Sequence, residues 1–346
     1  MLLVIFGAGA SYDSAASYLP KKSAHESARL PLADQMFDDR ASFAEALRLF
    51  PACQPIIPFL RHRQESTTVE SILERLQAEA TKTPQGYREM AAIRYYLQWM
   101  LWDCEHEWDK IHKGVTNYKA LLYLIRQNRR DSSPVCLVTF NYDTMLEVEL
   151  PTVEAQVTCI SDYVHGSEYK IFKIHGSVNW GRRIEPLPLK ELHTLGDAQI
   201  ANEVIRLAPQ IFEQKLVSNN YVFAGNGVVR KVDDRAIFPA IAIPVETKLD
   251  FECPLDHVEV LKKHLPQTSK LLVIGWRATD APFLELLRAH LPPHISAMTV
   301  AGSREEAENV VENFGSAGIR RKEFLCSNSG FTGFIQSGEA ESFLKA

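Results

Sequence analysis

The first strand and the turn after it constrain the fold of this chain most. Leu2–Phe6 is a continuous apolar run that ends in Gly7-Ala-Gly-Ala-Ser11. Such a run is typical of a strand buried on both faces, as in a parallel sheet. Glycines after the strand let a backbone approach a pyrophosphate closely, and a following helix adds amide donors. The turn lacks the full Gly-x-Gly-x-x-Gly pattern, so a tight connection without a ligand remains an alternative.

Further apolar or alternating runs predict strands, and two of them precede plausible helices. The predicted strands are Val135–Thr139, Tyr169–Ile174, Lys270–Ile274 and Ile295–Val300, and the helices after the last two are Ala281–Leu291 and Ser303–Phe314. Strands that alternate with helices indicate βαβ units and a sheet covered on both faces. The sequence therefore predicts an α/β fold with a Rossmann-like, mostly parallel sheet.

Two regions interrupt this alternation within one predicted domain, residues 1–346. Residues 31–130 are helical in pattern, with an apolar stripe from Tyr87 to Ile111 at steps of three and four residues. Thr116 is a candidate cap for the next helix. Residues 182–250 combine prolines, short extended pieces and a predicted helix near Asn202–Gln214. We interpret 31–130 as a large helical insertion and 182–250 as a second insertion near the pocket.

Composition excludes several classes of protein. A net charge of −5 and a pI near 6.1 disfavour direct binding of nucleic acid. No run approaches the roughly 18 apolar residues of a membrane-spanning helix, and no basic residue precedes the first strand as in a secretion signal. The six cysteines form no Cys-x-x-Cys pair, so we expect no zinc ribbon and reduced thiols. A cytoplasmic protein without a membrane association is the expectation.

Polar residues follow the strand predicted at Val135–Thr139. Asn141 and Asp143 are two positions apart, so in an extended loop both side chains can point the same way. Open parallel sheets collect their ligands at the carboxyl ends of their strands. The pair predicts catalysis or ligand contact there. The structural alternative is an Asx turn, because Asn and Asp are ordinary turn residues.

A histidine ends the neighbouring predicted strand. His175 precedes Gly176, which leaves its ring room to face a pocket. A purely structural histidine is the alternative, and it is the more frequent case for any single histidine. His165 has the same His-Gly-Ser context but lies in a polar stretch without a preceding apolar strand. We therefore favour His175 as the candidate acid or base.

Taken in order, these segments resemble the sirtuin-like NAD hydrolases of bacterial anti-phage defence. The matching segments are Gly7-Ala-Gly-Ala-Ser11, Thr139-Phe-Asn-Tyr-Asp143, Lys173-Ile-His-Gly-Ser177 with Trp180, and Leu271-Leu-Val-Ile-Gly-Trp-Arg-Ala-Thr-Asp280. The resemblance spans residues 1 to about 335. It is faint in 31–130 and 182–250.

The resemblance implies that the sheet holds NAD as the substrate and that the reaction releases nicotinamide. By this analogy Asn141 positions the attacking water, Asp143 fixes the ribose or the loop, and His175 acts on the ribose hydroxyls as acid or base. The turn after the first strand would lie near the phosphates and the turn after Ile274 near the adenosine half. The residues implied in cofactor binding are Gly7, Ala8, Gly9, Ser11, Gly275, Trp276, Asp280 and Ser303.

Two departures from the deacetylase members of the wider sirtuin family bear on the acceptor. The paired Cys-x-x-Cys zinc module is missing, and Ala28-Arg-Leu-Pro-Leu-Ala-Asp34 resembles the cofactor loop only loosely. Water is then favoured over an acyl-lysine as acceptor. An NAD-dependent protein deacylase and a non-catalytic NAD- or nucleotide-sensing subunit remain as alternatives. The intact Asn141, Asp143 and His175 argue against the second of these.

An NAD hydrolase that was always active would be toxic to its own cell, so we expect its site to be gated. No sensor domain is evident in the sequence. A trigger would then come from assembly as a homo-oligomer or from a partner, which in family relatives can be a HerA-type ATPase or a short Argonaute. The apolar stripe from Met90 to Ile111 is one candidate contact face. The alternative is that this stripe packs inside its own domain.

Overall fold

The computed structural model describes residues 1–15, 28–63, 67–129, 133–185, 194–245 and 251–346, apart from the side chain of Arg321. The chain divides into two compact units. Unit 1 consists of Met1–Leu30, Glu107–His175 and Lys248–Ala346, and unit 2 of Pro31–His106 and Gly176–Thr247. The region 31–130 thus contributes to both units. Residues 186–193 and 246–250 of the region 182–250 lie outside the described part.

The strands and helices are numbered in chain order. The strands are β1 (Leu2–Phe6), β2 (Val135–Thr139), β3 (Tyr169–Lys173), β4 (Gly176–Ile184), β5 (Val217–Phe223), β6 (Lys231–Val232), β7 (Arg235–Ile241), β8 (Lys270–Ile274), β9 (Ile295–Val300) and β10 (Arg321–Ser327). The helices are α1 (Ala8–Tyr12), α2 (Ala41–Leu49), α3 (Ile57–Arg61), α4 (Val69–Ala80), α5 (Pro84–His112), α6 (Asn117–Asn128), α7 (Met145–Val148), α8 (Asp162–His165), α9 (Asp197–Arg206), α10 (Ala208–Glu213), α11 (Leu255–His264), α12 (Ala281–His290), α13 (Arg304–Ser316), α14 (Gly330–Gln336) and α15 (Glu339–Lys345). Short 3₁₀ helices lie at Ala33–Gln35, Pro51–Ile56, Leu150–Val153 and Leu265–Gln267.

Unit 1 contains a six-stranded sheet in the order β10-β9-β8-β1-β2-β3, in which every neighbouring pair is parallel. The chain runs outward from β1 through β2 to β3, then returns to the other side of β1 and runs outward again. This is the doubly wound order, with its switch point between β1 and β8. The predicted α/β fold with a Rossmann-like parallel sheet is therefore confirmed. Strand β10 was not predicted.

The central strands are apolar because helices cover both faces of a parallel sheet. Every residue of β2 is buried, as are the last four residues of β1 and of β8. The helices that follow β8 and β9 are capped by side chains at their first turns. Asp280 accepts a hydrogen bond from the amide of Phe283, and Ser303 accepts one from the amide of Glu306.

Thr116 caps α6 as the sequence predicted. Its hydroxyl oxygen accepts a hydrogen bond from the amide of Lys119 at 3.1 Å and donates to the carboxylate of Glu149 at 2.8 Å. The same side chain thus satisfies an amide at the start of the helix and holds a buried acid. The predicted cap is confirmed.

Unit 2 has an antiparallel sheet in the order β5-β4-β7-β6, together with helices that include α9 and the part of α5 up to His106. The sequence indicated only short extended pieces here. Gln98 of α5 donates from its side-chain amide to the carbonyl oxygens of Val178 and Trp180, at 2.8 and 3.1 Å, and so ties this helix to β4. The helix predicted at Asn202–Gln214 is two helices, α9 and α10, because Pro209 lies in the first turn of the second.

The apolar stripe of α5 is covered within the chain. Its side chains are buried at Met90, Ile93, Leu97, Met100, Cys104 and Trp108, and Ile111 is half-buried. The alternative of packing inside the protein is therefore confirmed. The suggestion that this stripe offers a contact face for a partner is wrong, since a buried face cannot receive one.

In the part of the chain that the structure describes, no helix combines the length and apolar character that crossing a membrane requires. The same residues contain no group of three or more His, Cys, Asp or Glu side chains placed to hold a metal ion. All six cysteines are free thiols. Cys53, Cys104, Cys136 and Cys253 are buried, whereas Cys159 and Cys326 are exposed.

Candidate functional site at the carboxyl edge of the parallel sheet

The parallel ladder continues one hydrogen bond beyond the ends of its central strands. The amide of Phe140 donates to the carbonyl of Phe6 at 2.9 Å, and the amide of Ile174 donates to the carbonyl of Thr139 at 3.1 Å. The connections after β1, β2 and β3 therefore all begin at the same carboxyl edge of the sheet, one residue past the strand ends. Asn141 follows Phe140, and His175 follows Ile174, so both start from adjacent points of one edge.

Asn141 is buried, and its side-chain amide nitrogen is held in one orientation. It donates to the carbonyl of Gly7 at 2.9 Å, to the hydroxyl of Ser11 at 2.8 Å and to the hydroxyl of Tyr118 at 3.2 Å. Two hydrogens serve these three acceptors. Among the described residues, no hydrogen bond reaches the oxygen Oδ1, so that oxygen is a fixed acceptor available to a ligand.

Asp143 is buried behind the same loop. Its Oδ1 accepts from the amide of Met145 at 3.2 Å, and the hydroxyl of Ser11 donates to its carboxylate. Burial raises the pKa of Asp143 above its ordinary value, and Glu147 raises it further, while Lys173 and Ser11 act in the opposite direction. This carboxyl therefore holds the loop through hydrogen bonds to its neighbours.

Lys173 is fully buried beneath the loop and has two polar contacts there. Its ammonium donates to the carbonyl oxygen of Asp143 and lies 2.8 Å from Oε1 of Glu147, which also accepts from the hydroxyl of Tyr163 at 3.1 Å. A charged lysine in the interior needs such compensation, because burial disfavours an isolated charge. The last residue of β3 thus fixes the loop that follows β2.

His175 is buried at the end of β3 and forms a pair with Asp280. Its Nε2 lies 2.9 Å from Oδ2 of Asp280, which comes from the connection between β8 and α12. The edge of the imidazole ring meets Phe140, with ring centroids 4.8 Å apart, and Tyr142 lies at 6.4 Å. The histidine is therefore flanked by the two residues on either side of Asn141.

The glycine turns after β1 and β8 are packed directly against each other. Gly275 adopts a positive φ of 61°, and a Cβ placed there would lie 2.3 Å from the amide nitrogen of Ala10. A Cβ on Gly7 would lie 2.5 Å from the carbonyl oxygen of Gly275, and one on Gly9 would lie 2.9 Å from its Cα. Only glycine allows this approach.

Two glycine amides of the first turn are used within the protein. The amide of Gly7 donates to the carbonyl of Ile274 at 2.9 Å, and that of Gly9 donates to the carbonyl of Gly275 at 3.0 Å. These amides already have acceptors. Ala8, at the first position of α1, has no such bond among the described residues.

The remaining predicted cofactor residues fall in two places. Trp276 stacks on Phe140 with centroids 4.8 Å apart and is also in edge contact with Phe283, so it belongs to the aromatic cluster beside His175. Ser303 is exposed at the start of α13, where its hydroxyl caps the helix. The structure thus joins Trp276 and Asp280 to His175, and it shows no contact of Ser303 with them.

Sequence reasoning missed two residues of this site. Tyr118 lies in α6, and its hydroxyl is 2.9 Å from that of Ser11, but a tyrosine on an apolar helix face gives no separate signal. Lys173 belonged to a quoted segment without a role of its own. A lysine at the end of an otherwise apolar strand was the available signal, because such a residue is buried only when it is paired.

Comparisons with known proteins return structural neighbours only. No protein-family model matches the chain, and no curated protein does. The chain is similar to a Sir2 homologue solved with NAD, at 11% identity and a TM-score of 0.46, over 99% of this chain and 89% of that one. It is also similar to a mutant Sir2 homologue solved with ADP-ribose, at 11% identity and a TM-score of 0.45, over 99% and 91%.

A third neighbour is Sir2 solved with an inhibitor, 2′-O-acetyl-ADP-ribose and a deacetylated peptide. It is 12% identical with a TM-score of 0.38, over 99% of this chain and 94% of that one. At these identities and scores the likeness supports no conclusion about substrate or reaction. The fold of unit 1 stands on its own strand order and register.

Proposed function

We propose that this protein is an NAD⁺ hydrolase that cleaves the nicotinamide–ribose bond and releases nicotinamide and ADP-ribose. The observation that carries the proposal is the orientation of Asn141. Its amide nitrogen is held by Gly7, Ser11 and Tyr118, which leaves Oδ1 as an acceptor at the edge where open parallel sheets bind ligands. A fixed acceptor at this point can orient a water molecule.

The chemistry of the bond suits such a site. Nicotinamide leaves from a positively charged ring nitrogen as a neutral molecule, while the ribose becomes oxocarbenium-like. Oδ1 of Asn141 accepts a hydrogen bond from the attacking water and holds its oxygen toward the anomeric carbon. A positioned nucleophile and fixed dipoles lower the barrier without a covalent intermediate.

His175 supplies proton transfer in this proposal. Its ring accepts a proton from a ribose hydroxyl while the sugar gains positive charge, and it later returns a proton to that oxygen. Phe140 and Tyr142 flank the ring and shield it from bulk water. Asp143 holds the loop that carries Asn141, through the amide of Met145. NAD is the substrate, and no other cofactor enters the reaction.

The adenosine half of NAD would contribute binding energy that keeps the ribose in register. Gly7, Ala8, Gly9 and Ser11 remain the proposed phosphate turn, with the amide of Ala8 as its available donor. Gly275 and Trp276 remain the proposed neighbours of the adenosine half, and Ser303 remains the proposed ribose contact.

The test is nicotinamide release from NAD by the purified full-length protein, with and without an acetylated peptide. We expect peptide-independent release that falls about 10²–10³-fold in Asn141→Ala, because a fixed polar group is lost from the transition state. We expect a fall of about 10²–10⁴-fold in His175→Ala, the usual contribution of a general acid or base.

Two control variants separate chemistry from stability. Asn202 of α9 is half-buried, and its amide donates to the carbonyl oxygens of Leu49 and Ala198, so Asn202→Ala loses similar bonds within unit 2. His165 is exposed in the same His-Gly-Ser context as His175. Both Asn202→Ala and His165→Ala should release nicotinamide at near the wild-type rate.

Other outcomes of this test would indicate a different function. Release that requires the peptide would mean an NAD-dependent deacylase. Binding of NAD in calorimetry without release under any condition would mean either a site gated by a missing partner or a nucleotide-sensing subunit. A protein that neither binds NAD nor releases nicotinamide would contradict both the proposed substrate and the proposed reaction.

We further propose a role as a cytoplasmic effector that depletes NAD during phage infection and is gated by homo-oligomer assembly or by a partner such as a HerA-type ATPase or a short Argonaute. Toxicity of an ungated hydrolase is the physical reason. The test measures cellular NAD after infection in bacteria that express the wild type or His175→Ala. NAD that falls equally in both would contradict this role.

A further inference from the structure

Asp280 uses its two carboxylate oxygens for two different contacts. Oδ1 accepts from the amide of Phe283 at 3.0 Å and caps α12, whereas Oδ2 lies 2.9 Å from Nε2 of His175. The side chains of Asp280 and His175 are only 7% and 10% exposed, so this contact is shielded from water. A capping aspartate needs only one oxygen for the helix. The second oxygen is directed at the histidine.

The contact determines which ring nitrogen of His175 carries hydrogen. An ionised carboxylate accepts hydrogen bonds and donates none, so a neutral imidazole facing it must carry its hydrogen on Nε2. Nδ1 is then the basic nitrogen. A carboxylate partner also stabilises the positive charge that the ring gains when Nδ1 takes up a proton.

The ring has little freedom to turn away from this partner. Phe140 contacts the imidazole in a T-shaped arrangement with an interplanar angle of 79°. Phe140 is itself stacked on Trp276 at 10°, and Trp276 meets Phe283 edge-on at 85°. The amide of Phe283 is the group that Asp280 caps. The same segment therefore supports both the aromatic wall and the carboxylate.

We propose that Asp280 is a positioning residue that keeps His175 in the Nε2–H tautomer, with Nδ1 directed to the substrate. The inference rests on the proposed function, because it names the nitrogen that performs the proton transfer. The O–H bond of a ribose hydroxyl breaks as Nδ1–H forms, and Asp280 offsets the charge of the imidazolium. After water adds, a proton returns from Nδ1 to the ribose oxygen and the surplus proton of the water passes to solvent.

This proposal gives Asp280 a different role from the cofactor contact that the sequence suggested. Both of its carboxylate oxygens contact the protein. Oδ1 accepts from the amide of Phe283, and Oδ2 faces Nε2 of His175, the predicted acid or base. The two residues are 105 positions apart in the chain. No spacing pattern joins them, and only the return of β8 beside β1 brings their strands to one edge.

The variant that tests the proposal is Asp280→Asn, which keeps the size of the side chain and its ability to cap a helix. With its oxygen on the amide of Phe283, the new NH₂ group faces Nε2 and donates to it. His175 must then carry its hydrogen on Nδ1. We therefore expect this substitution to reverse the tautomer without unfolding the site.

The direct measurement is a ¹⁵N spectrum of the ring nitrogens in full-length protein labelled on histidine, recorded at rising pH until the ring signals no longer change and the imidazole is neutral. The His175 signals are assigned by their loss in His175→Ala. We expect Nε2–H in the wild type and Nδ1–H in Asp280→Asn. An Nδ1–H wild type, or a tautomer unchanged by Asp280→Asn, would overturn the proposal whatever the activity.

Turnover supplies the second measurement. We expect Asp280→Asn to lower kcat for nicotinamide release about 10²–10⁴-fold with little change in KM, as for a general base in the wrong tautomer. Asp280→Ser keeps a capping hydroxyl but is too short to hold the ring. It should give mixed tautomers and a smaller loss of kcat.

The two measurements separate this inference from the function on which it rests. A reversed tautomer with wild-type kcat would overturn the positioning role and leave the hydrolase intact. The protein could instead show the expected tautomers but neither bind NAD nor release nicotinamide. The pairing of Asp280 with His175 would then stand, and the proposed reaction would be wrong.

Discussion

The two halves of the sheet edge are built in different ways. The turns after β1 and β8 are held by backbone contact between glycines, with almost no space for a side chain. The connections after β2 and β3 are held by side chains, among them Asn141, Lys173 and the pair of His175 with Asp280. Backbone packing fixes the shape of the glycine half, the turns after β1 and β8. Side chains fix the charge and the hydrogen bonds of the polar half, the connections after β2 and β3. A substitution should therefore have different consequences in each half.

The largest expected effect is in the glycine half. Gly275→Ala combines a positive φ with a Cβ placed 2.3 Å from the nitrogen of Ala10, so backbone must move. We expect a loss of at least about 4 kcal/mol of unfolding free energy, at the high end for point substitutions. Denaturant unfolding measures it. Gly114→Ala is the matched control, because Gly114 also has a positive φ but no atom near its Cβ, and it should lose about 1 kcal/mol.

A similar stability for both glycine variants would mean that the two turns are not locked together, and that the distinction between the halves is wrong. A large loss in Gly275→Ala only would sharpen the distinction. Heating curves at several denaturant concentrations would show whether the variant still unfolds in one step.

The next effect is in the polar half. Lys173→Met removes the buried cation and leaves the carboxylates of Glu147 and Asp143 without it, which should lower the unfolding free energy by about 3 kcal/mol. The double variant Lys173→Met with Glu147→Gln removes the charge of the partner as well and should recover much of this loss. A double variant as unstable as the single one would mean that Lys173 acts through packing alone.

The smallest effect is at Asp143, and it depends on pH. Because burial raises the pKa of Asp143 above 3.8, the folded state holds this proton more tightly than the unfolded state. The stability contributed by this group is full below about pH 4 and is lost as the pH rises through the raised value. Asp143→Asn lacks this titration. Relative to wild type it should therefore gain stability, by about 1 kcal/mol, between acid and neutral pH.

Unfolding of wild type and Asp143→Asn at several pH values measures that difference. A variant that becomes less stable than wild type as the pH rises would mean that the charge of Asp143 stabilises the fold. Lys173 would then compensate it more strongly than burial penalises it, and the sign assigned to this carboxyl would be reversed.

The sequence predicted the strands of unit 1 well because buried parallel strands are continuous apolar runs, as at Leu2–Phe6 and Lys270–Ile274. Strand β10 has no such run, since Lys322 and Glu323 lie within it. The antiparallel sheet of unit 2 was missed for a related reason. Its outer strand β5 has no buried residue, so its pattern does not differ from that of a polar loop.

The residues of the candidate site could be predicted from the sequence, but the contacts between them could not. Asn141, Asp143 and His175 follow strands, which the chain order alone reveals. The pairing of His175 with Asp280 joins different strands, and the role of Gly275 depends on a turn far from it in sequence. Such contacts follow from strand order, which the sequence did not specify. The division of 31–130 between two units is of the same kind.

One feature of β3 bears on how this chain can vary. The chain leaves unit 1 after His175 and returns at Lys248, and the amide of Glu252 then donates to the carbonyl of Ile174 at 3.1 Å. The excursion from Gly176 to Thr247, which forms unit 2 together with Pro31–His106, thus starts and finishes beside one peptide group. Closing a longer loop between fixed ends adds little entropy cost. Loops within this segment can therefore change in length at little entropic cost while the peptide group beside His175 keeps its contact with Glu252.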